Sequence, residues 1–515
     1  MALHIGWAQT EITPERPVLV RGYSYGRVSE GVLDPLTATA LVLESLSEEQ
    51  SGTQTILVSC DLIVITNELR DEIRRQVRQR EPKIEAEHII VNATHTHNAP
   101  ELRCVEDSTT IVGIPLSELG AMEPAEYVNF AARRIADAIV EAYRRRRPGG
   151  ISWGLGSVVV SHNRISSYFG AGNTGGHGSR GASAFSTGAR RSSGPYSLMY
   201  GKTDDPDFSH MEGYVDHSFD LLCTWDEGSK LTGVVANLSC PSQVGGDPFK
   251  LSADFWHETR LELRRRYGEG LYVLPQCAPA GDQNSPHPYR KKAEDRMLRL
   301  KGRTKRQEIA CRIADAVGEL LPWVAKCIEW DPVHLHRVKE VRLPRRMVTE
   351  AEVKEAEAEL PALRAAFEES LSKARALPVE QREPRWYVEP TRAYWVYRRA
   401  QQVIERYRRQ ERLTDEVIEV HGVRLGELGL ATNPFELYLD FGIQMQARSP
   451  FVQTFLVQLV GPGSYVPTQR SVEGGAYGAV PASSLVGPEG GRALVEETLA
   501  LLWELWEAGS VSKTA

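Results

Sequence analysis

The apolar and polar positions of the first 330 residues alternate between two patterns. Short β-branched runs bounded by turn formers are typical of buried strands, and apolar residues three and four apart are typical of packed helices. The strand-like runs are Thr55–Cys60, His88–Thr94, Ile151–Val160, Leu231–Leu238 and Leu271–Leu274. The helical runs are Leu69–Arg80, Ala125–Arg147, Phe255–Tyr267 and Gln307–Ala325. This alternation predicts an α/β protein with large mixed β-sheets covered by helices.

Two segments interrupt the alternation. Tyr168–Ser197 is rich in Gly and Ser and predicts a surface loop or lid, because no Gly-Lys-Ser/Thr follows to indicate a phosphate-binding loop. Thr349–Gln410 is rich in Glu, Ala, Arg and Leu, begins with a capping-box pattern and contains a proline-rich break. We therefore expect an inserted helical hairpin at 349–410 and a loop insertion at 168–197.

The C-terminal part returns to strand-like and turn-rich sequence. Leu428–Ala431 and Val452–Leu459 predict strands, and Arg492–Glu507 carries the apolar spacing of a closing helix. No internal repeat or linker separates this part from the rest. The sequence therefore predicts one large catalytic domain over residues 1–515 that carries the two insertions.

Composition narrows the classes of partner. The 515 residues include 41% hydrophobic and 25% charged residues, which is ordinary for a globular protein. The formal net charge of −7 provides no basic field for nucleic acid or an anionic membrane. No run approaches the roughly 18 apolar residues of a membrane span, and no signal peptide is evident. Seven scattered cysteines without a C-x-x-C pattern fit a reducing compartment. We expect a cytoplasmic protein with a small-molecule substrate, without stable membrane insertion and of undetermined oligomeric state.

The most informative polar residues follow the strand His88–Thr94. His95 and His97 form a His-x-His pair that is broken by Asn98-Ala99-Pro100. Successive strand side chains point to opposite faces, so both imidazoles are expected on one face at the strand end. They could bind a metal together, or divide into one ligand and one acid/base. The ordinary alternative is two surface histidines at the mouth of a loop.

Four further places combine polar residues with turns. Arg164 directly follows a strand, where it could clamp a carboxylate, a carbonyl or an oxyanion, or could be a plain surface arginine. The turn Ala278–Pro286 also follows a strand, and its aspartate and serine are expected to stabilise the turn. Glu436 lies just past an apolar strand. Tyr465 and Tyr477 each lie beside a turn, where packing is the usual role of a tyrosine.

Taken in order, these blocks resemble the neutral/alkaline non-lysosomal ceramidase family. Asn92–Pro100 is similar to that family's Thr-His-Thr-His-Ser-Gly-Pro signature, and Gly281–Pro286 to its Gly-Asp-x-Ser-Pro turn. The other similar blocks are Gly6–Pro14, Asp34–Leu36, Ser59–Asp61, Asn433–Glu436 and Tyr465–Tyr477. The resemblance covers roughly residues 5–330 and 415–480. It implies a layered α/β ceramidase-like fold.

The resemblance also implies a zinc-assisted hydrolytic site. The implied metal ligands are His95, Glu436 and Tyr465. The implied catalytic residues are His97 as a general acid/base, Arg164 as a substrate-orienting group and Tyr477 as the donor that polarises the scissile carbonyl. Zinc with an open coordination position lowers the pKa of its water to about 7 and polarises a carbonyl. A neighbouring imidazole can carry the proton to the leaving amine.

One departure from the family pattern concerns the metal. Pro241 stands where the family has its second zinc histidine. Loss of one of about four ligands weakens zinc affinity. Cys240, Asp254 or His257 could replace the missing ligand, although a helix-start aspartate and a surface histidine are the ordinary roles of the last two.

The leading functional hypothesis is therefore an amidase-like hydrolase that is metal-assisted and cleaves an N-acyl or related bond. A small, non-ceramide substrate is expected because the sequence shows neither an export signal nor that family's additional C-terminal β domain. A metal-independent enzyme could instead use His95, His97, Glu436 and Tyr465 for acid/base chemistry on a carbohydrate-like substrate. A non-catalytic binding protein of the same fold is the third hypothesis.

Overall fold

Two β-sheets, of eight and four strands, form the centre of the molecule. We describe a computed structural model over residues 2–46, 52–170 and 194–511. The strands are β1 Ala2–Glu11, β2 Thr37–Leu46, β3 Gln54–Cys60, β4 Ile89–Ala93, β5 Arg147–Ser157, β6 His162–Asn163, β7 Ile165–Tyr168, β8 Tyr196–Met199, β9 Phe208–Met211, β10 Ser218–Asp226, β11 Leu231–Leu238, β12 Tyr272–Cys277, β13 Gln283–Asn284, β14 His334–Pro344, β15 Asp415–Leu425, β16 Leu428–Thr432, β17 Glu436–Leu437, β18 Gln453–Val457 and β19 Tyr465–Val466.

Helices cover the outer faces of the sheets. Their bounds are α1 Asn67–Arg80, α2 Thr109–Val112, α3 Pro124–Arg145, α4 Phe255–Tyr267, α5 Lys291–Lys301, α6 Lys305–Val324, α7 Glu350–Arg375, α8 Val388–Arg409, α9 Leu439–Arg448, α10 Gln469–Gly474 and α11 Pro488–Val511. Short 3₁₀ turns occur at Ala86–His88, Val379–Gln381 and Tyr477–Ala479. Within the described ranges, no helix is long and apolar enough to cross a membrane.

Both large sheets are mixed, as the sequence predicts. The eight-stranded sheet has the order β12-β11-β10-β5-β1-β2-β3-β4, with parallel pairs at β11/β12 and β3/β4. The four-stranded sheet has the order β14-β15-β16-β18, and its β16/β18 pair is parallel. The smaller sheets are β8-β7-β9, β13-β6 and β17-β19.

The two large sheets pack face to face. Side chains alternate between the two faces of each strand, so each sheet also has an outer face for helices. In β2, Leu41 and Leu43 belong to the cluster that also contains Phe455 of the second sheet. Their neighbours Ala40 and Val42 face the other way, into the cluster that contains residues of α1 and α3. Helices α9 and α11 cover the second sheet. The result is a helix–sheet–sheet–helix arrangement, which confirms the predicted fold class.

The inserted helical hairpin is confirmed as α7 and α8. Thr349 forms both hydrogen bonds of the predicted capping box with Glu352. The Gly-rich insertion is described only at its ends, where β7 and β8 pair, and its residues 171–193 lie outside the described part of the chain. The expected loop or lid at this insertion therefore stays a prediction, as does the single-domain organisation. The predicted strand Ile151–Val160 ends at Ser157 as part of β5. The strands that were not predicted are β1, β2, β10, β14 and β15, together with the short strands β6 to β9, β13, β17 and β19.

Turn segments that follow several strands come together at one place. The Gly281 amide after β12 donates to the Leu437 carbonyl after β16, at 2.8 Å. The Ser242 amide after β11 donates to the Thr94 carbonyl after β4, at 3.3 Å. Polar side chains from distant parts of the sequence therefore converge at these strand ends.

Candidate active site

A cavity of about 620 Å³ opens at these strand ends. All six site residues predicted from the sequence line it, namely His95, His97, Arg164, Glu436, Tyr465 and Tyr477. The cavity therefore brings together residues that are up to 382 positions apart in the chain, from His95 to Tyr477. Such a concave site with convergent polar groups has the form of a small-molecule pocket.

The two histidines converge for a different reason from the one that strand alternation suggests. Strand β4 ends at Ala93, before either histidine, and His95 lies in the left-handed region with φ = +63°. Their Nε2 atoms are 3.2 Å apart, and the ring planes are inclined by 72°. The two imidazoles lie close together, as expected, but a sharp turn after the strand brings them together rather than alternation along the strand. A strained non-glycine residue of this kind is typical of functional sites.

Neighbouring groups hold this turn in place. The Thr96 hydroxyl donates to the Ser252 carbonyl at 2.7 Å, and the Thr94 amide donates to the Cys60 carbonyl at 3.0 Å. Gly22, at φ = +114°, passes so close that a Cβ there would lie 2.7 Å from the His97 ring. The position therefore requires glycine for both space and conformation.

Hydrogen bonds fix the roles of the ring nitrogens. His95 Nδ1 lies 2.7 Å from the Ile63 carbonyl, which only accepts, so this nitrogen donates. The Gln243 amide nitrogen lies 3.1 Å from His97 Nδ1, so His97 carries its proton on Nε2 and directs it at His95. Burial, reinforced by His95, Arg27 and Arg164, holds the pKa of His97 well below its usual range. His97 is therefore neutral at pH 7.

Glu436 brings a carboxylate to the same point. It begins β17, which pairs in parallel with β19, so that Glu436 lies beside Tyr465. Its Oε2 is 3.4 Å from His95 Nε2. Burial acts to raise the pKa of Glu436, but His95, Arg164 and Tyr465 outweigh it and hold the pKa below its usual range. An ionised carboxylate thus lies beside His95 and Arg164.

Arg164 is a buried, fixed cation behind this cluster. One of its terminal nitrogens donates to the Gly281 carbonyl at 2.8 Å and to the Tyr465 hydroxyl at 3.3 Å, and lies 3.7 Å from Glu436 Oε2. The other donates to the Tyr200 hydroxyl at 2.6 Å. Burial opposes its charge, but Tyr200, Tyr465 and Glu436 together raise the pKa of Arg164 well above its usual range. It is therefore a buried residue with an electrostatic role, not a surface arginine.

The Ala278–Pro286 turn supports the site from behind. Its aspartate has the predicted structural role, whereas the Ser285 hydroxyl has no hydrogen-bond partner among the described residues. Asp282 accepts from the Leu439 amide at 3.0 Å and from the Asn163 side chain at 2.9 Å. A Cβ at Gly281 would lie 2.3 Å from the Glu436 carbonyl oxygen, so glycine is needed for this close approach. The turn's aspartate therefore has a structural role.

The two tyrosines form one wall of the cavity. The Tyr465 and Tyr477 rings are 5.9 Å apart and inclined by 77°. On its other side, Tyr477 stacks with Trp395 of α8 at 6.3 Å, and the Arg399 guanidinium lies 4.8 Å from both of these rings. Burial and Glu436 raise the pKa of Tyr465 well above its usual range, so its phenol is neutral.

The candidate replacements for the missing zinc ligand lie outside the cavity lining. The Cys240 thiol is buried in a core cluster and faces the carbonyls of Val160 and Pro241. Asp254 caps α4 and accepts from the Phe255 amide at 2.6 Å. Like these two, His257 does not line the cavity. The ordinary structural role was therefore the correct one for Asp254.

The described residues do not form a complete zinc site. Across the described ranges, no group of three or more His, Cys, Asp or Glu side chains is arranged to hold a metal. Catalytic zinc takes three such ligands. His95 and Glu436 supply two, and the third implied ligand is the neutral Tyr465 phenol, which already accepts a hydrogen bond from the cationic Arg164.

Several residues that line the cavity were not predicted from the sequence. They are Arg21, Glu101, Arg103, Tyr200, Gln243, Tyr394, Trp395, Arg398 and Arg399. The α8 residues had a detectable signal, since aromatic and arginine side chains recur there at helical spacing. Gln243 follows Pro241 by two positions, but nothing in the sequence distinguishes it from a turn residue.

Comparison with known proteins shows a likeness of fold. No protein-family model and no curated protein sequence matches the chain. Among solved structures, the neutral ceramidase from Pseudomonas aeruginosa matches with a TM-score of 0.65 and 17% identity, over 99% of this chain and 75% of that one. A ceramidase complexed with C2 matches with a TM-score of 0.65 and 16% identity, over 99% and 76% of the two chains. The chain therefore has a ceramidase-like fold.

Proposed function

We propose that the chain is a hydrolase that cleaves an N-acyl or related bond of a small, non-ceramide substrate. The observation that carries this proposal is the convergence of His95, His97 and Glu436 on one point of an open cavity, with Arg164 behind them. The ceramidase-like fold supports it by analogy only. Acid/base groups beside a fixed cation suit the addition of water to a carbonyl.

The chain's own residues provide a balanced reaction. The oxygen of a water molecule between Glu436 and His95 forms a bond to the carbonyl carbon as one proton of the water passes to the Glu436 carboxylate. His97 gives its Nε2 proton to the leaving nitrogen as the carbon–nitrogen bond breaks, and it takes the water's proton from Glu436 in the same step. The acid and the amine leave, and both side chains return to their starting forms. The Arg164 charge and the Tyr477 hydroxyl favour the negative charge that develops on the carbonyl oxygen.

A substrate panel tests this proposal. The full chain is incubated with N-acyl amines, N-acyl amino acids and N-acyl amino sugars small enough for the cavity, and release of the free acid is measured. We expect hydrolysis that falls by about 10²- to 10⁴-fold in His97→Asn, as for loss of a positioned acid/base. His257→Asn is the matched control because His257 lies outside the cavity lining. Equal loss in both variants contradicts the proposal.

The zinc implied by the resemblance stays a prediction. One contact favours it, since the His95 Nδ1–Ile63 carbonyl hydrogen bond is of the kind that orients a ligating histidine. Elemental analysis of the purified protein tests it directly. Stoichiometric zinc that is lost in His95→Ala supports the metal-assisted form, and hydrolysis that survives chelation supports the acid/base form given above.

A further inference from the structure

One face of the inserted helix α8 belongs to the cavity wall. The residues that line the cavity from α8 are Thr391, Tyr394, Trp395, Arg398, Arg399 and Gln402. Their spacing of three, four, seven, eight and eleven places them on a single helical stripe. The insertion therefore contributes to what the cavity can bind, and its side chains are polar, aromatic and basic.

The cavity lining carries more positive than negative charge. Its arginines are Arg21, Arg103, Arg164, Arg398 and Arg399, and its carboxylates are Glu101 and Glu436. Arg21 and Arg103 share the single carboxylate of Glu101, at 3.4 and 2.8 Å. Arg398 pairs outside the lining with Glu405, at 2.6 Å. This excess contrasts with the net charge of −7 for the whole chain.

Each of the other four cavity arginines lies near a carboxylate, whereas Arg399 has none among the described residues. Its side chain is buried, and among the described residues no carboxylate lies within 4 Å of it. One terminal nitrogen donates to the Ser483 hydroxyl at 2.9 Å, and Nε has no hydrogen-bond partner in the described part of the chain. A buried charge without a counterion is costly, so such residues are normally paired. A ligand can supply the missing anion.

The surroundings of Arg399 suit a flat, charged group. Its guanidinium lies 4.8 Å from the Trp395 and Tyr477 rings, which are inclined by only 19° to each other. A guanidinium that packs against aromatic rings in this way can still make bidentate contact with a carboxylate or phosphate. Tyr477 also neighbours Tyr465, which contacts Arg164 of the reacting cluster.

We infer that the substrate carries an anionic group, a carboxylate or a phosphate, which binds Arg399 beside Trp395 and Tyr477. The scissile bond then lies at His97 and Glu436, and Tyr465 separates it from the anionic group at Arg399. This inference rests on the proposed function because it names the substrate class of the same cavity. Arg399 is in this role a specificity-determining residue that acts on binding.

Binding measurements on the full chain test this inference without depending on turnover. The probes are inorganic phosphate and a matched pair, N-acetyl-phenylalanine and its uncharged primary amide, followed by calorimetry in a chloride-free buffer. We expect the two anions to bind at least tenfold more tightly than the amide. Arg399→Met should remove this preference and Arg399→Lys should retain part of it. Arg408→Met is the control, since Arg408 is exposed on the same helix.

The outcomes separate the two proposals. Equal binding of the acid and its amide, no binding of either anion, or an anion preference that persists in Arg399→Met overturns the anionic substrate class. If Arg399→Met fails to fold, Arg399→Lys and the acid–amide contrast in the wild type decide the question. Anion binding without hydrolysis of any N-acyl compound contradicts the proposed function and leaves the inference standing. Hydrolysis of neutral N-acyl compounds alone supports the proposed function and contradicts the anionic substrate class.

Discussion

The chain contains two His-x-His patterns, and the structure uses them in opposite ways. His95 and His97 lie in a turn in which His95 adopts a left-handed conformation, and both line a cavity of about 620 Å³. His334 and His336 lie within β14 and face the core, where His336 Nε2 is 3.0 Å from His421 Nδ1. Both groups are buried, and in both the pKa of at least one histidine is held well below its usual range by burial.

The difference lies in what each cluster borders. In the core, hydrogen bonds join His334 to Thr55, Thr55 to His336, His336 to His421 and His421 to Glu419, at 2.9 to 3.1 Å. Arg74 then pairs with Glu419 at 2.8 Å, and none of these side chains lines the cavity. At the cavity, by contrast, His97, His95 and Glu436 meet beside a space that a bound molecule can enter.

This comparison shows that close, buried histidines with lowered pKa values do not by themselves indicate a catalytic site. A hydrogen-bonded chain that is enclosed by the core stabilises the fold. A cluster of acid/base groups that borders a cavity can exchange a proton with a bound molecule. The two clusters should therefore respond to mutation in opposite ways.

The largest difference is expected for activity. His97→Ala should lower kcat/KM for an N-acyl substrate by about 10²- to 10⁴-fold, because the acid/base group is lost. Its free energy of unfolding should change by no more than about 1 kcal/mol, since the ring lies at a cavity wall. Steady-state kinetics and urea unfolding of the same preparation measure both quantities. A large loss of stability with unchanged kcat/KM would reverse the assigned roles.

The core histidine should show the opposite response. His336→Ala removes one hydrogen bond each from Thr55 and from His421 Nδ1 in the buried core, and we expect a loss of about 2–4 kcal/mol in the free energy of unfolding. The kcat/KM of the folded fraction should stay unchanged because His336 does not line the cavity. Urea unfolding at pH 7.5 measures the loss, with His257→Ala as the control.

Acid should destabilise the fold through the core chain. Burial lowers the pKa of His334 to about 3 and lowers those of His336 and His421, which neighbour His88 and Glu419. Because the unfolded chain binds protons below about pH 6.5 and the folded chain does not, stability is full above that pH and falls as pH falls. Each such histidine contributes up to about 1.4 kcal/mol per pH unit.

Unfolding free energies between pH 7.5 and pH 5 measure this slope. Replacement of His336 by glutamine should make the slope shallower, whereas His257→Gln should leave it unchanged. An identical slope in the wild type and in the His336 variant would remove the core chain as the cause.

The smallest effect is expected at the residue that orients His97. Gln243→Leu removes the donor to His97 Nδ1 and lets the imidazole adopt its other tautomer. We expect a fall of about 10- to 100-fold in kcat, with KM and the unfolding midpoint unchanged, because the side chain that orients the His97 ring is lost. Gln243→Glu offers an acceptor in place of that donor and should fall further. A change in KM alone would mean that Gln243 binds substrate instead.

Much of the fold follows from local sequence patterns. The run Phe255–Tyr267 and the hairpin of α7 and α8 are found as predicted, because apolar spacing and capping residues act locally. Strands β14 and β15 escaped prediction. Their side chains alternate between the core and a charged face, and three of the inward positions are the polar His334, His336 and His421.

The sequence predicted six residues that share one cavity, but it did not predict the contacts among them, and the roles of these residues stay predictions. All six predicted residues line the cavity, because motif order carries information about strand ends. The positive φ of His95, the orientation of Gln243 and the unpaired charge of Arg399 depend on contacts between distant segments. Such contacts have no local signal. The core chain of histidines is missed for the same reason, although it contains the second His-x-His pattern.

The most direct test of the assignment is the ratio of kcat/KM for wild type to His97→Asn, measured beside the same ratio for His336→Asn on an N-acyl substrate. We predict a ratio of about 10² or more for the cavity histidine and a ratio near 1, per folded molecule, for the core histidine. Equal ratios, or a larger ratio for the core histidine, would contradict the placement of the reacting groups in this cavity.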